Sequence, residues 1–230
     1  MWYTIFNSMP HNHIERFILE GIMSTLKESK NDYSSSKIGK GYKLFRVKSG
    51  KLYPPMVANP DNADTPIGIW IDASEGEFAG YSKTGRMRVK SIGSSSLSFR
   101  PGWHLSDIPI APQFYRTNKE TGEREFPKDF VWAECEYVMD VDYQDEAMKS
   151  GFTKSGKFQH SLAGLKKVPE KGYYLYRTNP NPNTFPWIIT GAIRVLRVLD
   201  DFEVSDILKS KSIDAPNRQG GNKKLKEMGL

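Results

Sequence analysis

Arg100-Pro-Gly-Trp-His-Leu-Ser-Asp-Ile-Pro-Ile-Ala-Pro-Gln-Phe-Tyr115 joins a break in regular structure to a short strand, a turn and a closing aromatic ring. Pro101 and Gly102 make the break. Trp103 and Leu105 then place large apolar groups on either side of an imidazole. In a strand, successive side chains point to opposite faces, so His104 looks away from Trp103 and Leu105. Asp107 can cap the turn that follows, and the prolines at 109 and 112 keep that turn from growing into a long helix. On the residues alone this is a half-buried strand, a loop and two core aromatics.

The same residues resemble a motif of the ADP-ribosyltransferase superfamily. Gly102-Trp-His-Leu-Ser-Asp is similar to the Gly-Ile-Tyr-Phe-Ala-Asp segment of the poly(ADP-ribose) polymerase branch, where two tyrosines eleven residues apart sandwich the nicotinamide of NAD. His104 and Tyr115 stand at those positions with that spacing. The resemblance implies that both bind the nicotinamide, an imidazole presenting its flat face in place of a phenol. The family's intervening serine, which bonds the carboxamide, is Pro112 in this chain.

Working outward, Tyr42-Lys-Leu-Phe-Arg-Val-Lys48 is the first clear strand, with Leu44 and Arg46 on one face and Phe45 and Val47 on the other. Read plainly, Arg46 reaches solvent or a surface carboxylate. Leu44-Phe45-Arg46 also resembles the Leu-aromatic-Arg/His segment of the transferases' first core strand. That likeness implies an arginine forking to the diphosphate or ribose of NAD, with Val47 beside it where the polymerase branch has glycine. Downstream, Phe130–Val138 alternates as a strand and exposes Glu134 and Glu136 together. The pair imitates the Glu-x-Glu of toxin-type transferases, which makes both candidate catalytic acids. The polymerase branch has a similar strand that is structural, and paired acids on one strand face usually meet lysines in solvent.

Two further fragments follow in order. Gly156–Pro169 resembles a polymerase segment of the form Gly-Lys-His-Ser-Val-Lys-Gly-Leu-Gly; the plain reading of His160 is a loop histidine that fixes local backbone. Trp187-Ile-Ile opens the most apolar strand region, which runs to Leu199, and a capped helix follows over Asp200–Lys209. Matched to the family's last motif, Trp187-Ile-Ile puts Pro186 where the catalytic glutamate belongs. Proline supplies neither base nor charge.

Ile14, Phe17, Ile18, Ile22 and Leu26 fall near one face of a helix over residues 12–26. His11 and His13 lie beside it without ligand-spaced partners, so no metal site is expected. Lys27–Lys40 is rich in Lys, Ser, Asn and Gly and reads as a linker. Ser94-Ser-Ser-Leu-Ser98 is similar to the Ser-Thr-Ser strand of arginine-type toxins, although a serine run is more often a polar loop.

The chain has 230 residues, 38% hydrophobic and 12% aromatic, which suits one medium domain with appendages. No apolar run approaches a membrane span and the first residues lack a signal-peptide pattern, so no membrane association is expected. A single cysteine, Cys135, precludes an internal disulfide and fits a cytoplasmic setting. Of the formal charge of +6, the segment from Lys209 onward carries +4, with six basic residues against two acids. A basic terminus of this kind is usually solvated, which makes nucleic-acid binding through it the least favoured class.

These readings converge on an α+β fold. The resemblance makes it ADP-ribosyltransferase-like: a pair of twisted antiparallel sheets with a cleft between them and peripheral helices. It spans residues 41–208, preceded by a helix and linker (1–40) and followed by a basic, mobile tail (209–230). The resemblance implies NAD as substrate and a protein acceptor. Arg46, His104, Glu134 and Glu136 are the candidate catalytic groups; Arg46, Val47, His104 and Tyr115 are the candidate NAD contacts. The alternative is a catalytically inactive module of the same fold that engages a protein or nucleotide partner.

Overall fold

A computed structural model describes residues 25–93, 95–160, 162–177 and 185–219. The helix expected over residues 12–26 lies outside these except for Thr25 and Leu26, which run extended against Asp64. Ser94 and the stretch from Gly220 onward also lie outside them.

Within the described residues the chain is mixed α+β and mostly sheet. The strands are β1 (Ile38–Lys48), β2 (Lys51–Tyr53), β3 (Trp70–Asp72), β4 (Phe78–Tyr81), β5 (Met87–Lys90), β6 (Ser96–Ser98) and β7 (Trp103–Ser106). They continue as β8 (Arg116–Thr117), β9 (Arg124–Glu125), β10 (Phe130–Val138), β11 (Val141–Asp142), β12 (Gly172–Tyr176), β13 (Trp187–Thr190) and β14 (Ala192–Val198). The main sheet runs β11-β12-β13-β7-β1-β10-β14-β3, with β2 folded back on β1. All of its ladders are antiparallel except β11–β12. The strands β4-β5-β6 form a small separate sheet and β8-β9 a hairpin.

β1 and β10 pair along nine positions, from Ile38↔Val138 to Arg46↔Phe130. Their alternation sets two faces. Phe45, Ala133 and Cys135 join Leu105 and Ile188 from β7 and β13, and Ile193 and Val195 from β14, in one inner core. Side chains from both wings of the sheet thus meet over a single interior, and the Trp103 indole N–H donates across it to the Ile71 carbonyl at 3.1 Å. Each aliphatic side chain fully buried in this way contributes about 1.5–3 kcal/mol. On the outer face Leu44, Trp132 and Phe130 are covered by Val204 and Leu208 of the helix Asp201–Lys209. That helix starts with a reciprocal capping box between Asp200 and Glu203. Ala147 of the short helix Gln144–Lys149 and Leu165 cover Tyr174, Tyr176 and Ile189.

Three expectations are corrected. The apolar run Trp187–Leu199 is two strands in different wings, parted at Gly191, where a Cβ would sit 2.2 Å from the Pro169 carbonyl oxygen. The presumed linker is anchored: Tyr33 is buried against Trp70, its hydroxyl donates to Asp72, and β1 already begins at Ile38. The tail is docked as far as Gln219. Asn217 and Gln219 bond the Phe126 backbone, Ile213 and Ala215 pack on the outer core, and Arg218 clasps Asp201 at 2.6 Å. Composition concealed this because one buried arginine and two apolar side chains suffice to hold a short segment.

Candidate functional site

β1 and β7 share one ladder pair, Tyr42↔Ser106. Beyond it β1 turns to β2 through Arg46↔Tyr53, and the strands part. A cleft of about 440 Å³ lies against the diverging strands, lined by Lys43 and Leu44 from β1, His104 from β7, and by Arg100, Phe114, Tyr176 and Trp187. This size is usual for small-molecule sites. Gly102 shapes the entry: its φ is +133° and a Cβ there would lie 2.6 Å from Ile189, so the position favours glycine.

As the alternation predicts, His104 faces away from Trp103 and Leu105, half-buried on the outer side. Its Nδ1 lies 3.1 Å from the Gly102 carbonyl. A carbonyl only accepts, so Nδ1 carries the hydrogen. Burial, reinforced by the nearby Lys43 charge, pushes its pKa down to about 3, leaving a neutral ring at ordinary pH. Lys43 is buried and donates from Nζ to the His104 carbonyl at 3.2 Å, occupying an acceptor where no ladder bond to β1 forms. Burial pushes its pKa down to about 8. The Arg100 guanidinium lies over the Tyr176 ring, 3.9 Å from its centroid; burial lowers its pKa, but a group so basic stays charged. Among the described lining residues Asp72 is the sole carboxylate, and it accepts from Ser29 Oγ at 2.7 Å and from Tyr33.

Of the residues singled out from sequence, His104 lines this cleft. Arg46 shares its sheet face but is exposed and pairs with Asp129 at 3.2 Å, outside the lining. Val47 is an inner-core residue whose N–H bonds the Asp129 carbonyl. Tyr115 packs edge-on against Phe126, with Arg124 over its ring, and also lies outside the lining. The 3₁₀ turn Pro112–Phe114 accounts for this: it delivers Gln113 and Phe114 to the cleft and sends the next residue away. Glu134 bonds Arg197 at 3.0 Å and Lys40 at 3.5 Å; Glu136 bonds Arg194 Nε at 2.9 Å. Both acids are held in pairs away from the cleft. His160 packs on Phe158, as a loop histidine would.

Sequence reasoning missed Lys43, Arg100, Phe114, Tyr176 and Trp187. Only Lys43 had left a signal, a charged residue on the strand face of Phe45 and Val47. A second cavity, of about 570 Å³, lies where the segment ending at Arg218 crosses the C-terminal helix. Its charged groups Arg218 and Asp201 bind each other, so the cleft at His104 is the better candidate site.

Compared with protein-family models, curated proteins and solved structures, the chain has no significant match. Among the described residues no cluster of His, Cys, Asp or Glu could hold a metal ion, and no helix is long and apolar enough to cross a membrane.

Proposed function

We propose that this chain is an ADP-ribosyltransferase-like module whose cleft binds a nucleotide of the NAD or ADP-ribose class without turning it over. The observation that carries this reading is Arg100: a guanidinium stacked on Tyr176 lines the same cleft as neutral His104, Phe114 and Trp187. A guanidinium forks to diphosphate oxygens, and flat rings stack on a base or a nicotinamide. The fragments resembling the transferase motifs support it further, because the strands bearing Leu44-Phe45-Arg46, Trp103-His104 and Trp187-Ile188-Ile189 are neighbours in the order β13-β7-β1. NAD is therefore a ligand in this reading, and a protein partner would meet the cleft or its rim. A cytoplasmic setting is part of the same proposal.

Binding without turnover follows from the acids. Cleaving the nicotinamide–ribose bond builds positive charge on the ribose, and losing one preorganised electrostatic partner costs roughly a hundred- to thousandfold in rate. Pro186 supplies no such group, and Glu134 and Glu136 are committed to arginines. The test is calorimetric titration of the wild type and His104→Ala with NAD and ADP-ribose, alongside a nicotinamide-release assay of the wild type, Glu134→Gln and Glu136→Gln. We expect saturable binding that His104→Ala weakens, and no release. Absence of binding by folded wild type would overturn the nucleotide reading. Vigorous release that both glutamine variants retain would refute our account of the acids; release lost with either would favour an active transferase.

A further inference from the structure

Lys43 sits on the face of β1 that otherwise carries Phe45 and Val47, opposite Ala133 of β10. It is 5% exposed. Its Nζ lies 5.0 Å from the Trp103 ring centroid and 5.4 Å from that of Phe45, on the cleft wall. The contact at Nζ is one donated hydrogen bond to the His104 carbonyl. Among the described residues no carboxylate forms a salt bridge with it. The ionisable groups nearest it, Cys135 and His104, add no negative charge near neutral pH. Burial pushes the Cys135 thiol on β10 up to about 12, and His104 on β7 is neutral. Arg100, farther along the wall, is a cation, and Asp72 is engaged by Ser29 and Tyr33. An amine in this setting loses the hydration that favours its ammonium form.

We propose that Lys43 is a nucleophilic amine on which the cleft captures a small anionic aldehyde as an imine. The aldehyde follows from the amine, because a desolvated lysine is the usual route to Schiff-base chemistry. The negative charge follows from Arg100 on the same wall. The unprotonated Nζ attacks the carbonyl carbon, a C–N bond forms, and the carbonyl π pair moves to oxygen. That oxygen takes a proton from nitrogen to give a carbinolamine. The hydroxyl then leaves with the remaining nitrogen proton as one water, and C=N is formed. Amine plus aldehyde gives imine plus water, with no redox change and no co-reactant. The apolar walls of Phe45 and Trp103 favour this neutral, dehydrated product. Capture does not require the ligand to be a nucleotide.

The test uses the full-length wild-type chain and pyridoxal 5′-phosphate, an aldehyde carrying a phosphate. The probe is added below stoichiometry at pH 7.5, reduced with borohydride, and mapped by peptide mass spectrometry. Near that pH an ordinary lysine is unprotonated in about one molecule per thousand, whereas a group titrating at about 8 is unprotonated in a substantial fraction. We expect Lys43 to carry at least tenfold more label than any exposed lysine such as Lys83 or Lys119. Labelling at Lys43 should rise as pH passes about 8. It should be several-fold slower in Arg100→Ala, and several-fold slower in the wild type with pyridoxal, which lacks the phosphate. Label spread over exposed lysines, with Lys43 at or below their level, would overturn the proposal and leave Lys43 as a strut for the His104 carbonyl. Equal labelling by pyridoxal and its phosphate would overturn the anionic part. The site mapping, the pH dependence and the comparison with pyridoxal all use the wild type, so they stand even if Lys43→Met or Arg100→Ala fails to fold.

Discussion

The main sheet carries two charged regions that behave in opposite ways. Around β10 and β14, Glu134 meets Arg197 and Lys40, Glu136 meets Arg194, and Arg197 reaches on to Glu203 of the C-terminal helix. That last contact, with the Asp200 N–H, holds the Glu203 carboxyl below its ordinary range. Around β7, Arg100 and Lys43 line an apolar cleft beside an imidazole that burial keeps neutral. Charges paired across neighbouring strands hold a sheet together and have little left for a ligand. Charges set against rings on a cleft wall lie where the proposed ligand would meet them.

The sharpest way to break this comparison is to remove one cation from each region. Arg100→Ala should weaken ADP-ribose binding by about ten- to a hundredfold, because a hydrogen bond to a charged group contributes about 1.5–3 kcal/mol. Arg194→Ala should leave the affinity within about twofold, its loss being confined to stability. If Arg194→Ala matched Arg100→Ala in titration calorimetry, the paired region would belong to the site.

A smaller effect concerns His104. Its folded pKa is depressed, so between about 6.5 and about 3 the unfolded chain binds a proton that the folded chain does not. Stability should therefore fall as pH is lowered through that window, and be unaffected above it. Discounted for a half-buried ring, the contribution is on the order of 1–2 kcal/mol. Urea midpoints of the wild type and His104→Gln at pH 7 and pH 5 measure it. The wild type should lose more on acidification; equal losses would place the proton elsewhere.

Next comes the capping box. Asp200→Ala should cost about 1 kcal/mol, roughly 2–4 °C in melting temperature for a domain of this size. It should not alter the cleft. The smallest effect belongs to the exposed side of the paired region. Glu134→Gln leaves two partly exposed cations and should cost about 0.5 kcal/mol, with salt dependence that Arg100→Ala lacks. A loss of several kcal/mol in denaturant titrations would show that Glu134 supports more than its pairs.

Short-range patterns decided several features before any tertiary structure was known. The alternation over Phe130–Val138 reproduces β10 residue for residue, and the capped helix expected over Asp200–Lys209 forms with Asp200 as its cap. The flanking of His104 by Trp103 and Leu105 sets which way its ring points. These succeed because pleat and helix cap depend on neighbours within four residues. The partners of Glu134 and Glu136 lie about sixty residues away on β14, and strand alternation says nothing about which strand will lie alongside. Tyr115 had the right spacing from His104 but leaves a 3₁₀ turn facing Phe126, because spacing does not specify the rotation of a turn. The cleft itself exists because β1 exchanges β7 for β2 after one ladder pair. That divergence, which gathers Lys43, Arg100, His104 and Trp187 from distant segments, was decided by tertiary packing alone.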